Sequence, residues 1–172
     1  MSSSSRPTRP LQVWKALSPE MRERAALAFF ADEQAVAEQA EVVGLISRRI
    51  NFRTRSVLAM PVDRKAGHLA RMNSISDNVA SRLLVAYHLA HQRSMMGAFL
   101  DSLGIAHDNG LIATDDVKVP DGPAVLEAAR ALAARWPSED VRLYFTTLLL
   151  QDPETWGALE GLAEEPPSGS DA

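Results

Sequence analysis

The chemistry that this sequence could support starts with two histidines, His88 and His91, which lie three residues apart. On a helix this spacing places both imidazoles on one side, where they could share a metal ion. No carboxylate stands at a matching spacing, so the alternative is that both rings make hydrogen bonds inside a helix. We keep the two residues as metal candidates, but we expect no metal and no other cofactor.

Motifs that mark common enzyme classes are absent from the sequence. The nine glycines are scattered, so none forms a phosphate-binding loop, and Gly-x-Ser-x-Gly, His-Glu-x-x-His and Glu-x-x-His do not occur. Asp115 and Asp116 are adjacent and therefore point in different directions, which makes them poor partners for acid and base catalysis. We expect a protein without enzymatic activity, and an enzyme with an unrecognised site is the third hypothesis.

A dense basic stretch between residues 48 and 72 is a candidate for binding an anionic partner. Its net charge is +6, because seven cations meet only Asp63. The seven are Arg48, Arg49, Arg53, Arg55, Arg64, Lys65 and Arg71. Such a density could neutralise several phosphates. The interpretation that we favour is that these cations pair with acidic residues of the same chain or of a partner protein.

The distribution of charge along the chain is unequal. Residues 1–100 carry 14 Lys and Arg against 8 Asp and Glu, whereas residues 101–172 carry 4 against 14. A split of +6 against −10 can hold two parts of one molecule together, pair two copies head to tail, or guide an anionic partner to the N-terminal half. Composition alone does not choose among these three.

Residues 69–84 have the sequence Leu-Ala-Arg-Met-Asn-Ser-Ile-Ser-Asp-Asn-Val-Ala-Ser-Arg-Leu-Leu. This segment resembles the helix-turn-helix of lac-repressor-type regulators. In that family a Leu/Val-Ala pair ends the first helix, a hydrophobic residue followed by Ser makes the turn, and a Val-Ser-Arg-like run lies in the recognition helix. Leu69-Ala70, Ile75-Ser76 and Val79-Ala-Ser-Arg82 follow in the same order here.

The resemblance implies a nucleic-acid-binding regulator with a helix-turn-helix-like segment at 63–84. Ser76 would cap the reading helix, and Asn78, Ser81 and Arg82 would be the base-reading candidates. Two features depart from the family: Ser74 stands where glycine is usual, and the second helix continues into an apolar run. A deeply embedded helix is therefore the alternative interpretation.

Helical periodicity and capping signals predict an all-α fold with roughly seven to nine helices. It is expected to be a single compact multi-helix domain around a buried central helix at about 76–92. In that helix the face of Asn78 and Arg82 continues into Val85 and Leu89, which predicts burial on every side of its second half. Trp14 and Trp156 are expected to cover the core, or one of them to meet a partner.

Local signals place several helix ends. Ser18 followed by Pro19 predicts a helix start, and Gly104 a left-handed helix end. Asp32 is expected to cap a longer helix that ends at Asn51. Its apolar positions, at spacings of three and four residues, are Val36, Ala40, Val43, Ile46 and Ile50.

One turn signal stands between the helices. Asp108-Asn109-Gly110 is typical of a small hairpin, but two such short strands are marginal in isolation, so we favour an irregular loop.

Composition also predicts the domain limits and the compartment. Residues 1–10 are expected to be a disordered leader, 11–163 a single all-helical domain and 164–172 a disordered tail. The sequence has no cysteine, and no apolar run approaches the roughly 18 residues that suggest a membrane span. We therefore expect a soluble, cytoplasmic protein.

The leading functional hypothesis is a non-enzymatic interaction or scaffold protein that uses its charged faces, basic in the N-terminal half and acidic in the C-terminal half. We expect a protein partner or self-association. Nucleic acid is the alternative partner, and no membrane partner is expected.

Overall fold

The computed structural model describes residues 9–164. The predicted leader up to residue 8 and the predicted tail from residue 165 lie outside the described residues. Residues Arg9 and Pro10, which we had assigned to the leader, belong to the ordered structure, since the first helix begins at Pro10.

The described residues confirm the all-α class. They form ten α-helices, one short 3₁₀ helix at Gly157–Leu159 and one two-stranded hairpin. The helices are α1 Pro10–Ala16, α2 Pro19–Ala31, α3 Val36–Ile50, α4 Thr54–Leu58, α5 Val62–Ala70, α6 Asp77–His91, α7 Arg93–Ser102, α8 Gly122–Arg135, α9 Ser138–Gln151 and α10 Glu160–Glu164. The number exceeds our estimate because α4 and α10 are separate helices of only five residues each. None of the helices in this part of the chain is both long and apolar enough to cross a membrane.

Contacts between residues divide the described chain into two compact units, 9–90 and 91–164. We call them the N-terminal unit and the C-terminal unit. That residues 11–163 form one domain stays a prediction.

Several local signals of the N-terminal unit are confirmed. The hydroxyl of Ser18 accepts a hydrogen bond from the Met21 backbone N–H at 3.3 Å, which caps α2. Asn51 ends α3 in the left-handed conformation, with φ of 54°. The start predicted for α3 is wrong: the helix begins at Val36 after Ala35, and the Asp32 side chain instead accepts from the Gln34 N–H in the preceding turn.

The packing of the N-terminal unit joins α2 to α5 and α3 to both α4 and α5. Its interior contains Phe29, Ile46, Val57 and Leu69, which are fully buried. The predicted apolar face of α3 is only partly correct, because Val36 is 65% exposed whereas Val43 and Ile46 are buried. The first turn of α3 therefore extends beyond the interior.

One guanidinium joins the ends of two helices in this unit. The Nε and Nη2 atoms of Arg22 in α2 donate to the carbonyl oxygens of Trp14 (3.1 Å) and Lys15 (2.9 Å), near the end of α1. Its Nη1 atom donates to the carbonyl of Ala70 (3.3 Å) and to the side-chain oxygen of Asn73 (3.0 Å), where α5 ends. The guanidinium also lies 5.1 Å from the centroid of the Trp14 ring. Desolvation by burial lowers the pKa of Arg22 from its ordinary value, but the group stays charged.

Helix α6 is the predicted central helix, and its burial is confirmed. Leu83 and Leu84 are 0% and 1% exposed, and Tyr87 and His88 are also buried. Burial is not complete on every side, however: Asn78 is exposed, and Arg82, Val85 and Leu89 are half-buried. The predicted continuation of that face into an apolar interior is therefore wrong.

The interior of the C-terminal unit is built around aromatic rings. The centroid of Phe99 in α7 lies 5.7 Å from that of Tyr144, 5.4 Å from that of Phe145 and 6.0 Å from that of Trp156. Trp156 is 3% exposed, and in the N-terminal unit Trp14 is fully buried, so both tryptophans belong to the core as expected.

The segment after α7 corrects one prediction. Gly104 adopts φ of 67°, as its position at a helix end predicted. The following residues form an antiparallel hairpin with β1 His107–Asp108 and β2 Leu111–Ile112, where we had favoured an irregular loop. Asn109 and Gly110 both have positive φ, which suits the two-residue turn of a hairpin. Packing of β2 against α7 supplies the support that two short strands lack alone.

Truncation of Leu84 to Ala should destabilise the protein by about 2 to 5 kcal/mol, because the side chain is buried and the surroundings can close the cavity only in part. Leu27→Ala is the matched control, since Leu27 is 44% exposed and its truncation should change the free energy of unfolding by less than about 1 kcal/mol. Denaturation in urea measures both values. Equal losses in the two variants would contradict the assigned core.

Replacement of Arg22 by Lys should lower the free energy of unfolding by about 2 kcal/mol. The guanidinium donates to four oxygen atoms near the ends of two helices, and a single ammonium group cannot reach all of them. Arg24→Lys, an exposed neighbour on the same helix, is the control and should be nearly neutral. Thermal and urea denaturation report the difference. An Arg22→Lys variant as stable as the wild type would show that these hydrogen bonds contribute little to stability.

Candidate interaction surface

The predicted cations of residues 48–65 lie on neighbouring elements. Arg48 and Arg49 occupy the last turn of α3, Arg53 precedes α4, and Arg55 lies within α4. The remaining two, Arg64 and Lys65, lie in the first turn of α5. Since α3 packs against both α4 and α5, the three elements that carry these residues are in contact. We call the six residues the basic surface.

Local geometry explains why the chain turns sharply within this surface. After the left-handed Asn51, the Phe52 N–H donates to the carbonyl of Ser47 at 3.0 Å, and the Ser47 hydroxyl donates back to the Phe52 carbonyl. The Ser47 carbonyl also accepts from the Asn51 N–H, so these bonds together hold the reversal at the end of α3. The cations of the last turn also favour the negative end of the helix dipole.

Most of these cations are available to a partner. All five arginines of the basic surface are exposed, as is Arg71 beyond the end of α5. Within residues 9–90 the ion pairs join other residues, namely Arg9 with Asp77 and Arg82 with Glu38. Lys65 differs, because it is half-buried with its ammonium 5.3 Å from the centroid of the Phe30 ring. The basic surface is therefore mainly a set of solvated guanidinium groups.

Exposed apolar side chains lie among the arginines, which sequence reasoning missed. Phe52, Leu58 and Val62 are 52%, 59% and 46% exposed, whereas Val57 is fully buried. Helix α4 has only five residues, little more than one turn. Because neighbouring side chains of a helix point in different directions, burial of Val57 leaves Leu58 facing solvent. The available signal was the position of Phe52 between Asn51 and Arg53, in a stretch too polar to be a core element.

The helix-turn-helix-like segment is formed by α5 and α6, joined by residues 71–76. Ser76 acts as predicted: its hydroxyl accepts from the Val79 N–H at 3.2 Å, and Ile75 beside it is buried. The connection is longer than the three or four residues typical of the motif. Helix α5 also packs mainly against α2 and α3.

The three base-reading candidates are brought together at a shallow groove of about 280 Å³ between α3 and α6. Asn78, Ser81 and Arg82 line it, but so does Glu38. The carboxylate of Glu38 lies 3.4 Å from Nε of Arg82. Both side chains are half-buried. A carboxylate at this position opposes a nucleic-acid phosphate.

The start of α6 is anchored by a second ion pair. Asp77 accepts hydrogen bonds from Nε of Arg9 at 2.9 Å and from the Leu11 N–H at 3.1 Å. Both hydrogen bonds lower the pKa of the Asp77 carboxyl, and the bond from Arg9 has the larger effect. The N-terminal turn of α6 is thus bound to the region around α1.

The two candidate metal ligands are in different environments: His88 is buried and His91 is exposed. Among the described residues, no group of three or more His, Asp or Glu has the geometry to hold a metal ion. Asp115 and Asp116 are both exposed in the loop after the hairpin. Burial lowers the pKa of His88 to about 4, so the ring is neutral at pH 7.

Comparisons of the chain with protein families, curated proteins and solved structures found no match.

Protonation of His88 should lower the stability of the protein as the pH falls from 6.5 to about 4. The folded pKa is lowered, so the unfolded chain binds a proton first on acidification, and the stabilisation present above pH 6.5 is lost toward the folded pKa of about 4. The loss through this group amounts to about 3 kcal/mol. Urea denaturation at several pH values should show a flatter profile for His88→Gln, whereas the exposed His91→Gln control should follow the wild type. Identical profiles for all three proteins would contradict this assignment.

Proposed function

We propose that the protein is a non-enzymatic interaction module whose basic surface binds an acidic segment of a protein partner. The observation that supports this function is the combination of exposed arginines with exposed Phe52, Leu58 and Val62 in one stretch of chain. A cytoplasmic location belongs to the same proposal, because a chain without cysteine suits a reducing compartment.

The chemistry of the surface favours a protein segment over a simple polyanion. Guanidinium groups alone would attract any anion, because their interaction with it is mainly electrostatic. Leu58 and Val62 add aliphatic area that a phosphate backbone cannot cover, whereas leucine and aromatic side chains of a peptide can. Arginine and aromatic residues are also the types most enriched where protein interfaces gain their energy.

The two contributions should differ in their response to salt. Charge attraction between exposed groups weakens as ionic strength rises, because the Debye length shortens. Apolar contact does not weaken in this way. Binding of an acidic apolar segment should therefore decrease with salt and then level off, whereas binding of nucleic acid should keep decreasing.

Nucleic acid is the second candidate partner. The specific observation in its favour is the exposed Asn78, which lies in the first turn of the helix that Ser76 caps. The adjacent Glu38 and the long connection between α5 and α6 place it second.

Arg53→Glu with Arg55→Glu should weaken binding of a labelled synthetic peptide, in which acidic and aliphatic residues alternate, by about tenfold or more. Reversal of two charges turns attraction into repulsion at the centre of the basic surface. Arg130→Glu with Arg135→Glu is the matched control, because both residues are exposed on α8 and the change in net charge is the same. Fluorescence anisotropy in low and high salt measures the affinities.

A third variant separates the apolar contribution. Leu58→Ser should weaken binding of the same peptide in high salt as well as in low salt, since it removes no charge. Loss of binding in the α8 control to the same extent as in the double variant would refute a defined surface. Tight retention of duplex DNA in place of the peptide, with Arg82→Ala changing the sequence preference, would establish the nucleic-acid function instead.

A further inference from the structure

A second charged surface lies in the C-terminal unit, on the hairpin and the loop that follows it. Asp108, Asp115, Asp116 and Asp121 are exposed there, and the intervening residues contain a single cation, Lys118. Leu111 and Ile112 of β2 are 42% and 37% exposed among these acids. Its composition is thus the counterpart of the basic surface, with acids in place of arginines.

This region also has a groove of about 240 Å³. Its apolar lining includes Ile112, Val119 and Trp156, and its acids are Asp115 and Asp152. The Asp152 carboxylate accepts hydrogen bonds from the hydroxyl and the backbone N–H of Thr155, which lower the pKa of Asp152 and keep it ionised. We call Asp108, Leu111, Ile112, Asp115 and Asp116, together with this groove, the acidic surface.

The hairpin carries Asp108, Leu111 and Ile112 of the acidic surface, and it is held by several hydrogen bonds to neighbouring residues. Nδ1 of His107 accepts the Gly110 N–H at 3.0 Å, so its Nε2 carries the ring proton and donates to Asp101 at 2.7 Å. Nη1 of Arg93 donates to the Asn109 carbonyl at 3.0 Å. A Cβ atom on Gly110 would lie 2.9 Å from the Arg93 carbonyl oxygen, so this backbone is pressed against α7. The outward direction of Leu111 and Ile112 is therefore built into the fold.

We infer that the acidic surface of one copy of the chain binds the basic surface of a second copy. The inference rests on the proposed function, since it names the partner whose acidic segment the basic surface takes. Asp115 and Asp116 meet arginines such as Arg53 and Arg55, while Leu111 and Ile112 contact the apolar side chains between them.

Complementarity in two respects supports this partner. The two regions have opposite charge: residues 48–72 have a net charge of +6, and residues 101–121 contain five aspartates with one lysine. The described chain has seven large exposed apolar residues. Phe52, Leu58 and Val62 lie among the cations of the basic surface, and Leu111 and Ile112 belong to the acidic surface. On each surface, apolar side chains lie among charged residues, and the charges of the two surfaces are opposite in sign. This arrangement suits an interface with an apolar core and a polar rim.

The geometry of such an association is head to tail. Because the two surfaces differ, the contact is heterologous, and after the first contact one copy keeps its basic surface unused while the other keeps its acidic surface unused. Association therefore continues into a ring or an open chain of copies, and it depends on both protein concentration and salt.

Analytical ultracentrifugation of the full chain over a range of concentrations tests this inference. At low salt the average mass should rise with concentration, and at high salt it should return toward that of the monomer. Arg53→Glu with Arg55→Glu should reduce self-association by about tenfold or more, and so should Asp115→Lys with Asp116→Lys. The charge-matched controls, Arg130→Glu with Arg135→Glu and Glu127→Lys with Glu139→Lys, should behave as the wild type.

Mixing provides the decisive measurement. Each of the two surface variants keeps one native surface, so an equimolar mixture should form complexes that neither variant forms alone. The acidic synthetic peptide should compete with self-association of the wild type. Circular dichroism confirms that the variants are folded.

The outcomes separate this inference from the function on which it rests. A wild type that stays monomeric but still binds the peptide would overturn self-association and leave a different acidic protein as the partner. Failure of both would overturn the proposed function as well. Self-association that neither surface variant changes, or a mixture that forms no complex, would also overturn the inference, because the copies would then meet elsewhere.

Discussion

The bridge made by Arg22 is the interaction on which the N-terminal unit depends. Helices α1 and α5 are short, with seven and nine residues, and the last carbonyl groups of each have few partners within the helix. A single planar group on α2 donates to carbonyl oxygens near the ends of α1 and α5, while its face lies against the Trp14 ring. The indole N–H of Trp14 in turn donates to the carbonyl of Met72 at 2.9 Å, beyond the end of α5. Carbonyl groups that are partly withdrawn from water are costly without partners, so these hydrogen bonds stabilise the ends of the two helices.

The hydrogen bonds and ion pairs of the N-terminal unit also distinguish cations that serve the fold from cations that stay in solvent. Arg22 is committed to carbonyl oxygens, Arg9 to Asp77 and Arg82 to Glu38, so these cations serve the fold. The arginines of the basic surface have no such task within residues 9–90 and remain in water. Exposed cations gain little from isolated surface ion pairs, which is consistent with a role in binding rather than in stability.

The two surfaces also rest on different local devices. The basic surface follows from a left-handed helix end at Asn51 and a helix of one turn, α4. The acidic surface follows from a hairpin whose turn needs two residues with positive φ, Asn109 and Gly110. Phe52, Leu58, Leu111 and Ile112 stay exposed in or beside these two reversals although their types favour burial.

Sequence by itself determined the all-α class, most helix limits and the unequal distribution of charge. These properties depend on neighbours within a few residues: the Ser18 cap, the left-handed Asn51 and Gly104, and the period of the central helix are all local. Only the tertiary structure decided the tasks of particular residues. The packing of separate helices decides which of Val57 and Leu58 is buried and why Val36 and Asn78 face water. It also decides why Arg22 makes hydrogen bonds within the fold while Arg53 is exposed. The hairpin belongs to the same group, because its strands are too short to persist without α7. Packing joins residues that are distant in sequence, and local sequence patterns do not predict which of these residues meet.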